Sequence, residues 1–202
     1  QLLQLVIRAS DPNDDPLMFS AHNLPEGATF DPATQVFSWI PGYTQSGDFT
    51  VRFEVSDGKL TASREIVITV RKVNLPPVFD PIGNKTVNEG ELLEFTVSAT
   101  DPNEDPLTYS VASLPAGAGF DPATRTFTWI PDYNQAGVYT VIFQVSDGSL
   151  TVTRELMITV NQVNRPPVLE VIDNHWIDEG QTLEFFVNAI DPDGDLLTFS
   201  VI

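Results

Sequence analysis

Residues 101–112 read DPNEDPLTYSVA, and this stretch decides the fold because its opening recurs along the chain. DPNDDPL begins at Asp11, DPNEDPL at Asp101 and DPDGDLL at Asp191, each 90 residues from the last. The same offset links Trp39 to Trp129, Asp57-Gly58 to Asp147-Gly148, Asn74 to Asn164, and Glu89-Gly90 to Glu179-Gly180. Residues 11–77 align with 101–167 without a gap, and 41 of those 67 positions are identical. A period of this length exceeds that of solenoid repeats, and each copy is large enough to hold its own core. The expected organisation is a repeat at 1–74 lacking its first strand, a complete repeat at 75–164, and the N-terminal part of a third at 165–202. Both ends read as cut from a longer array.

Within the second copy, apolar and polar residues alternate as on half-buried strands. Leu93, Phe95, Val97 and Ala99 share one face; Glu94, Thr96 and Ser98 share the other. Leu107, Tyr109 and Val111 continue the pattern, as do Phe127 with Trp129, then Tyr139, Val141, Phe143 and Val145, then Leu156, Ile158 and Val160. Turn signals separate these runs: Asp101-Pro102, Pro115-Ala116-Gly117, Asp121-Pro122, Pro131-Asp132 and Asp147-Gly148. No segment keeps a 3.6-residue period. About seven short strands in about 90 residues predict an all-β protein of tandem two-sheet antiparallel β-sandwich domains, the class to which the immunoglobulin fold belongs. Pro76-Pro77 and Pro166-Pro167 hold the chain extended, as stiff joints between them.

Composition narrows the function. Lys and Arg number 10 against 28 Asp and Glu, a formal net charge of −18, and there is no Cys. Disulfides and thiolate metal sites are therefore impossible. The negative charge repels phosphate backbones and anionic lipid, so nucleic acid and direct membrane insertion are not expected. No apolar run approaches the roughly 18 to 20 residues that span a bilayer. His22 and His175 recur in no other copy, so neither a Ser-His-Asp set nor a histidine metal site is expected. Carboxylates sit at repeat positions in every copy, whereas a catalytic pair is expected once. The chain is read as no enzyme.

Oxygen ligands are the dense chemical resource. Asp101, Asn103 and Asp105 place short oxygen side chains at alternate positions, as do Asp11, Asn13 and Asp15, and Asp191, Asp193 and Asp195. Hard cations take about six to eight oxygens at roughly 2.3–2.6 Å, and such spacing lets one loop supply several. In sandwich topology these loops share a pole with the Asp57 and Asp147 turns. Carboxylates crowded there repel one another unless solvated, protonated or bound to a cation. The competing reading is turn chemistry, in which Asp accepts backbone N–H groups and Pro presets φ.

Taken together, V-x-A-x-D-P-x-x-D-x-L-x-Y-S, F-x-W-x-P, V-S-D-G-x-L-T and V-N-x-P-P resemble the cadherin-like repeats of the dystroglycan type, also grouped as immunoglobulin-like repeats of bacterial surface and secreted proteins. The resemblance covers essentially the whole chain. It implies an extracellular or cell-surface array associated with adhesion and stiffened by weakly bound Ca2+. Matched position by position, it implies Asp101 and Asn103, with Asp105 in the same loop, and Asp147 as calcium ligands, and the first junction, with Arg71 and Lys72 beside it, is expected to bind weakly or not at all. At the second it implies Glu89, Asp132, Asn134, Asn164, Asp191, Asp193 and Asp195. The linkers depart from the family pattern: Arg71-Lys72-Val73-Asn74 and Asn161-Gln162-Val163-Asn164 lack its bridging aspartates, and Gly42 and Thr44 replace Asp132 and Asn134 in the first copy. One ion at the second junction is the expectation.

The expected partners are the neighbouring repeats of the same chain and other surface proteins or glycans. An adhesive or spacer role heads the reading. The alternative is an accessory linker or glycan-binding module of a secreted carbohydrate-active or proteolytic enzyme. Phe37/Trp39 and Phe127/Trp129 are expected in the core rather than as sugar platforms. In the third copy Leu183, Phe185, Val187 and Leu197 are expected on an open sheet, an association surface, while residues 165–178 provide the strand that the first copy lacks, which allows end-to-end complementation between molecules.

Overall fold

The alternating runs become strands in a computed structural model that describes residues 1–201. In chain order they are β1 (Leu3–Val6), β2 (Met18–His22), β3 (Thr29–Asp31), β4 (Val36–Trp39), β5 (Gly47–Ser56), β6 (Thr61–Val70), β7 (Val78–Phe79), β8 (Lys85–Asn88) and β9 (Leu93–Thr96). There follow β10 (Ala99–Thr100), β11 (Thr108–Ser113), β12 (Gly119–Asp121), β13 (Thr126–Trp129), β14 (Gly137–Ser146), β15 (Thr151–Asn161), β16 (Val168–Leu169) and β17 (Ala189–Ile190). The described residues contain no helix, and so none long and apolar enough to cross a membrane.

The chain divides into two compact units. The first holds 1–78 together with the loops 99–108 and 146–152; the second holds 79–98, 109–145 and the residues from 153 onward. Those two loops of the second copy therefore group with the linker. Ile202, the end of the expected third repeat, lies outside the described residues.

In the first unit two antiparallel sheets, β1-β4-β3 and β2-β5-β6, face each other. Their registers put Leu3 opposite Trp39, Phe30 opposite Phe37 and Ala21 opposite Phe53. Period-two alternation sends these side chains to one face. Phe37, Trp39, Val51 and Phe53 form the core, with Phe30 and Phe37 edge-on to Phe53 at centroid separations of 5.6 and 5.9 Å. Trp39, 1% exposed, donates its indole N–H to Glu26 O at 3.1 Å, so a large ring is buried with its one polar group satisfied.

The second unit builds the same sandwich from β12-β13-β9 and β11-β14-β15-β8. Val97, Phe127, Trp129, Val141, Phe143, Leu156, Ile158 and Val160 are its core. Trp129 donates to Ala116 O at 3.2 Å, the counterpart of the Trp39 bond. Both tryptophans are core residues.

One pairing departs from the antiparallel expectation. β8 runs parallel to β15, with Ile158 opposite Lys85 and Val160 opposite Val87. The short run Lys85-Thr86-Val87-Asn88 thus covers the outer edge of the last strand and sends Val87 into the core. In the third copy, β16 and β17 form a two-stranded ladder, and 170–188 form no strand despite their alternation. A run with no neighbouring strand gains nothing from extended geometry. Leu183, Phe185 and Val187 are exposed, as expected, but on no sheet, and Leu197 is partly buried.

Candidate functional site

Each Asp-Pro loop first closes on itself. Asp101 Oδ1 accepts the N–H groups of Asn103 at 2.8 Å and Asp105 at 3.2 Å. Asp11 does the same for Asn13 and Asp15, and Asp191 for Asp193 and Asp195. The fourth loop position is left-handed, with φ near 60° at Asp14 and Glu104 and 80° at Gly194. Turn formation occupies one oxygen of the leading aspartate in every copy.

In the first unit the closed loop grips the linker. Asn103, 9% exposed, accepts the Leu75 N–H on Oδ1 at 2.7 Å and donates from Nδ2 to Val73 O and Tyr43 O, both at 2.9 Å. Lys72 Nζ lies 2.6 and 2.7 Å from the two carboxylate oxygens of Asp105. Asn74 Nδ2 donates to Asp147 Oδ2 at 2.8 Å, while Asp147 Oδ1 accepts the N–H groups of Ser149 and Leu150, each at 2.7 Å. The Leu150 N–H foremost, then that of Ser149, with help from the Asn74 amide, holds the Asp147 carboxyl below the ordinary carboxylate value. Asp101 Oδ2 is buried with no hydrogen-bond partner.

The second unit uses the same positions with different chemistry. Asp193 stands where Asn103 does, and Arg165 where Leu75 does. The Arg165 backbone N–H donates to Asp193 Oδ2 at 2.5 Å, and its Nε donates to Oδ1 at 2.9 Å. A carboxylate cannot donate as the Asn103 amide does, so the cation takes over that role. Its Nη2 donates to Pro192 O at 2.7 Å, and its guanidinium lies 4.7 Å from the Tyr133 ring centroid. The Arg165 side chain is the main cause that keeps the Asp193 carboxyl below its ordinary value, followed by the Arg165 backbone N–H. Glu89, also buried, accepts the Val163 N–H at 2.9 Å. Gly90 turns at φ 77° so close to the ring of Tyr133 that a Cβ there would sit 2.9 Å from the hydroxyl oxygen.

Three of the expected second-junction ligands, Glu89, Asn134 and Asp193, line one cavity of about 190 Å3 with Tyr133, Ala136, Gln162 and Pro192. Asp132 accepts the Asn134 N–H at 2.9 Å and is exposed, as are Asn164 and Asp195. Asp191 is partly buried, with Oδ1 committed to its loop.

Calcium is implied by the resemblance, and the donor set present does not fit it. An ion needs about six to eight converging oxygens. Both oxygens of Asp193 face Arg165, both oxygens of Asp105 face Lys72, Asn103 is fully bonded, and Glu89 Oε2 holds a backbone N–H. Among the described residues no three Asp, Glu, His or Cys side chains converge as they would round one metal ion. A divalent ion beside Arg165 would also meet a like charge. Asp101 Oδ2, buried without a hydrogen-bond partner, offers one oxygen where an ion needs several.

Arg165 and Tyr133 have no place among the residues expected from sequence. Their signal is a paired change at one offset: Leu75 with Asn103 becomes Arg165 with Asp193.

The family described as "Putative Ig domain" matches residues 2–71 and again 76–161. Chitinase A of Pseudoalteromonas piscicida is 28% identical over 130 residues, covering 63% of this chain and 16% of that protein. Integrin beta-like protein A of Dictyostelium discoideum is 26% identical over 193 residues, covering 80% of this chain and 10% of that protein. The chain spans less than a fifth of either relative. Among solved structures, the extracellular cadherin domains 1–4 of Protocadherin Gamma B7 align over 84% of this chain and 43% of that one, at 19% identity and a TM-score of 0.46.

Proposed function

The chain belongs to the "Putative Ig domain" family, and on that premise we propose that it is a non-catalytic spacer of a larger extracellular or cell-surface protein, with linkers fastened by its own side chains. The observation that carries this reading is Asn103. One buried amide satisfies three backbone groups, at Tyr43, Val73 and Leu75, and so fixes the path of the linker without any added ligand. Arg165 on Asp193 is the charged version of the same fastening. The resemblance assigns this work to calcium; we assign it to amide and cationic side chains, because those groups occupy the oxygens. Support for a place inside a larger protein comes from the small share of each relative that the chain spans.

A second reading, a spacer within a secreted carbohydrate-active enzyme, draws on the match to a stretch of Chitinase A. It assigns the chain the same mechanical task. A glycan-stacking face gets no support from Trp39 and Trp129, which are buried.

Thermal unfolding of the chain in millimolar calcium and in excess chelator tests the proposal. Equal transition temperatures are expected. A clear rise with calcium, absent with magnesium, overturns the metal-independent fastening.

A further inference from the structure

Between β4 and the start of β5 the chain runs Pro41-Gly42-Tyr43-Thr44-Gln45-Ser46-Gly47, and between β13 and the start of β14 it runs Pro131-Asp132-Tyr133-Asn134-Gln135-Ala136-Gly137. The proline, the tyrosine, the glutamine and the closing glycine are the same in both. The tyrosines are what this loop contributes to the linker fastenings. Tyr43 O accepts a hydrogen bond from Asn103 Nδ2, and the Tyr133 ring lies against the Arg165 guanidinium. The side-chain hydrogen bonds of the glutamines run the other way, into the sandwich. We infer that Gln45 and Gln135 are positioning residues of the two fastenings, each holding its tyrosine in place by stapling the loop to the core beneath it. The inference rests on the reading that the linkers are fastened by side chains.

The staple has the same parts in both units. Gln45 Oε1 accepts the Gly42 N–H at 2.7 Å, and its Nε2 donates to Glu26 O at 3.1 Å. Gln135 Oε1 accepts the Asp132 N–H at 2.8 Å, and its Nε2 donates to Ala116 O at 3.0 Å. One side-chain amide, acceptor and donor at once, therefore closes its own loop and ties it to the loop that follows β2 or β11. The receiving carbonyl is the one that already takes the indole N–H of Trp39 or Trp129, so the anchor is the largest buried ring of each core. The backbone closes the same turn, with Gln45 N–H on Gly42 O at 3.2 Å and Gln135 N–H on Asp132 O at 3.1 Å. Tyr43 and Tyr133 are the second residues of these four-residue turns, and the amide pins both turn ends.

The two staples differ by one hydroxyl. Tyr139 Oη donates to Gln135 O at 3.0 Å, and Phe49 stands at that position in the first unit. The aromatic packing is otherwise alike, with Trp129 and Tyr139, and Trp39 and Phe49, both edge-on at centroid separations of 4.9 Å. A hydroxyl added to Phe49 therefore finds an acceptor at Gln45 O. The second loop is held at the backbone as well as at the side chain, so the first fastening depends more heavily on its glutamine. Without the amide, Tyr43 O drifts from Asn103 Nδ2, and Asn103 in turn holds the Leu75 N–H less firmly.

Amide hydrogen exchange on the 202-residue chain tests the inference, read at the Leu75 N–H that Asn103 holds and at the β5 amides of the same unit. Gln45→Ala is expected to speed exchange at Leu75 about tenfold and to leave β5 nearly unchanged. A glutamine that only supports the fold speeds both alike; that result overturns the inference, and so does an unchanged Leu75. Gln135→Ala should speed the Arg165 N–H, held by Asp193, by a smaller factor, and a larger factor than at Leu75 overturns the argument from Tyr139. Phe49→Tyr alone should slow exchange at Leu75 about fivefold, the worth of one hydrogen bond. Added to Gln45→Ala it should recover part of the loss, because it bonds the backbone of residue 45. If Gln45→Ala does not fold, Phe49→Tyr alone decides, and no slowing at Leu75 overturns the inference. Every sample contains excess chelator. A calcium effect on the unaltered chain, read separately, overturns the metal-independent reading alone, so the two fail independently.

Discussion

Arg165 grips both carboxylate oxygens of Asp193, with its backbone N–H on Oδ2 and its Nε on Oδ1. Ninety residues earlier, Leu75 and Asn103 keep only the backbone half of this contact. The Asp193 side chain is 2% exposed, so its charge depends on that one arginine. Arg165→Leu is expected to lower the unfolding temperature of the second unit, because a buried carboxylate is left unpaired. Arg165→Leu combined with Asp193→Asn recreates the Leu75–Asn103 pair and should recover most of the loss. Thermal melts of the two variants check this, and equal melting of the single and double variants would refute it.

Asn103→Ala removes three hydrogen bonds and leaves the Val73 and Tyr43 carbonyls and the Leu75 N–H without that partner. A cost of about 2–4 kcal/mol is expected from three bonds near about 1 kcal/mol each. Urea unfolding measures it, and limited proteolysis should show faster cleavage between residues 71 and 78.

Equivalent core positions should not be equally sensitive. Ile158 is fully buried under β8, and Ile158→Ala is expected to cost about 3–5 kcal/mol. Ile68, its counterpart, is only partly buried, so Ile68→Ala should cost about half as much or less. Paired denaturant titrations decide it, and equal losses would refute it.

Acid stability follows from five aspartates held below their ordinary value of 3.8: Asp31, Asp57, Asp121, Asp147 and Asp193. Backbone or hydroxyl donors cause the first four shifts and Arg165 the fifth. A folded-state value below the unfolded one means that the unfolded chain binds protons first as the pH falls. Stability is therefore fully present above about pH 4 and declines below it as these carboxylates protonate. Unfolding free energy measured from about pH 5 to about pH 2 should fall steadily, and Asp147→Asn should reduce the slope.

Much of the sandwich was legible because Phe127 and Trp129, or Val141, Phe143 and Val145, alternate strictly and occur in a run bounded by turn residues. β8 was not, since Lys85-Thr86-Val87-Asn88 contains one apolar residue and takes its strand form from β15. The loop oxygens were legible as a resource, but their use was not. Whether an aspartate faces an ion, a backbone N–H or an arginine depends on which linker residue lies against it. Leu75 and Arg165 look unrelated until Asn103 and Asp193 are seen to touch them. The alternation of Leu183, Phe185 and Val187 was equally plain, yet strand formation also requires a neighbour to pair with.

The parallel arrangement of β8 and β15 has a mechanical consequence. Near the start and the end of the second copy, these two strands point the same way, so tension applied through the flanking linkers pulls them in opposite directions along their length. Their hydrogen bonds and the Val87 contact must then rupture together, by sliding, instead of unzipping singly. Under load the second copy therefore resists as a sheared clamp, and its strength lies in how many of these bonds must break at once.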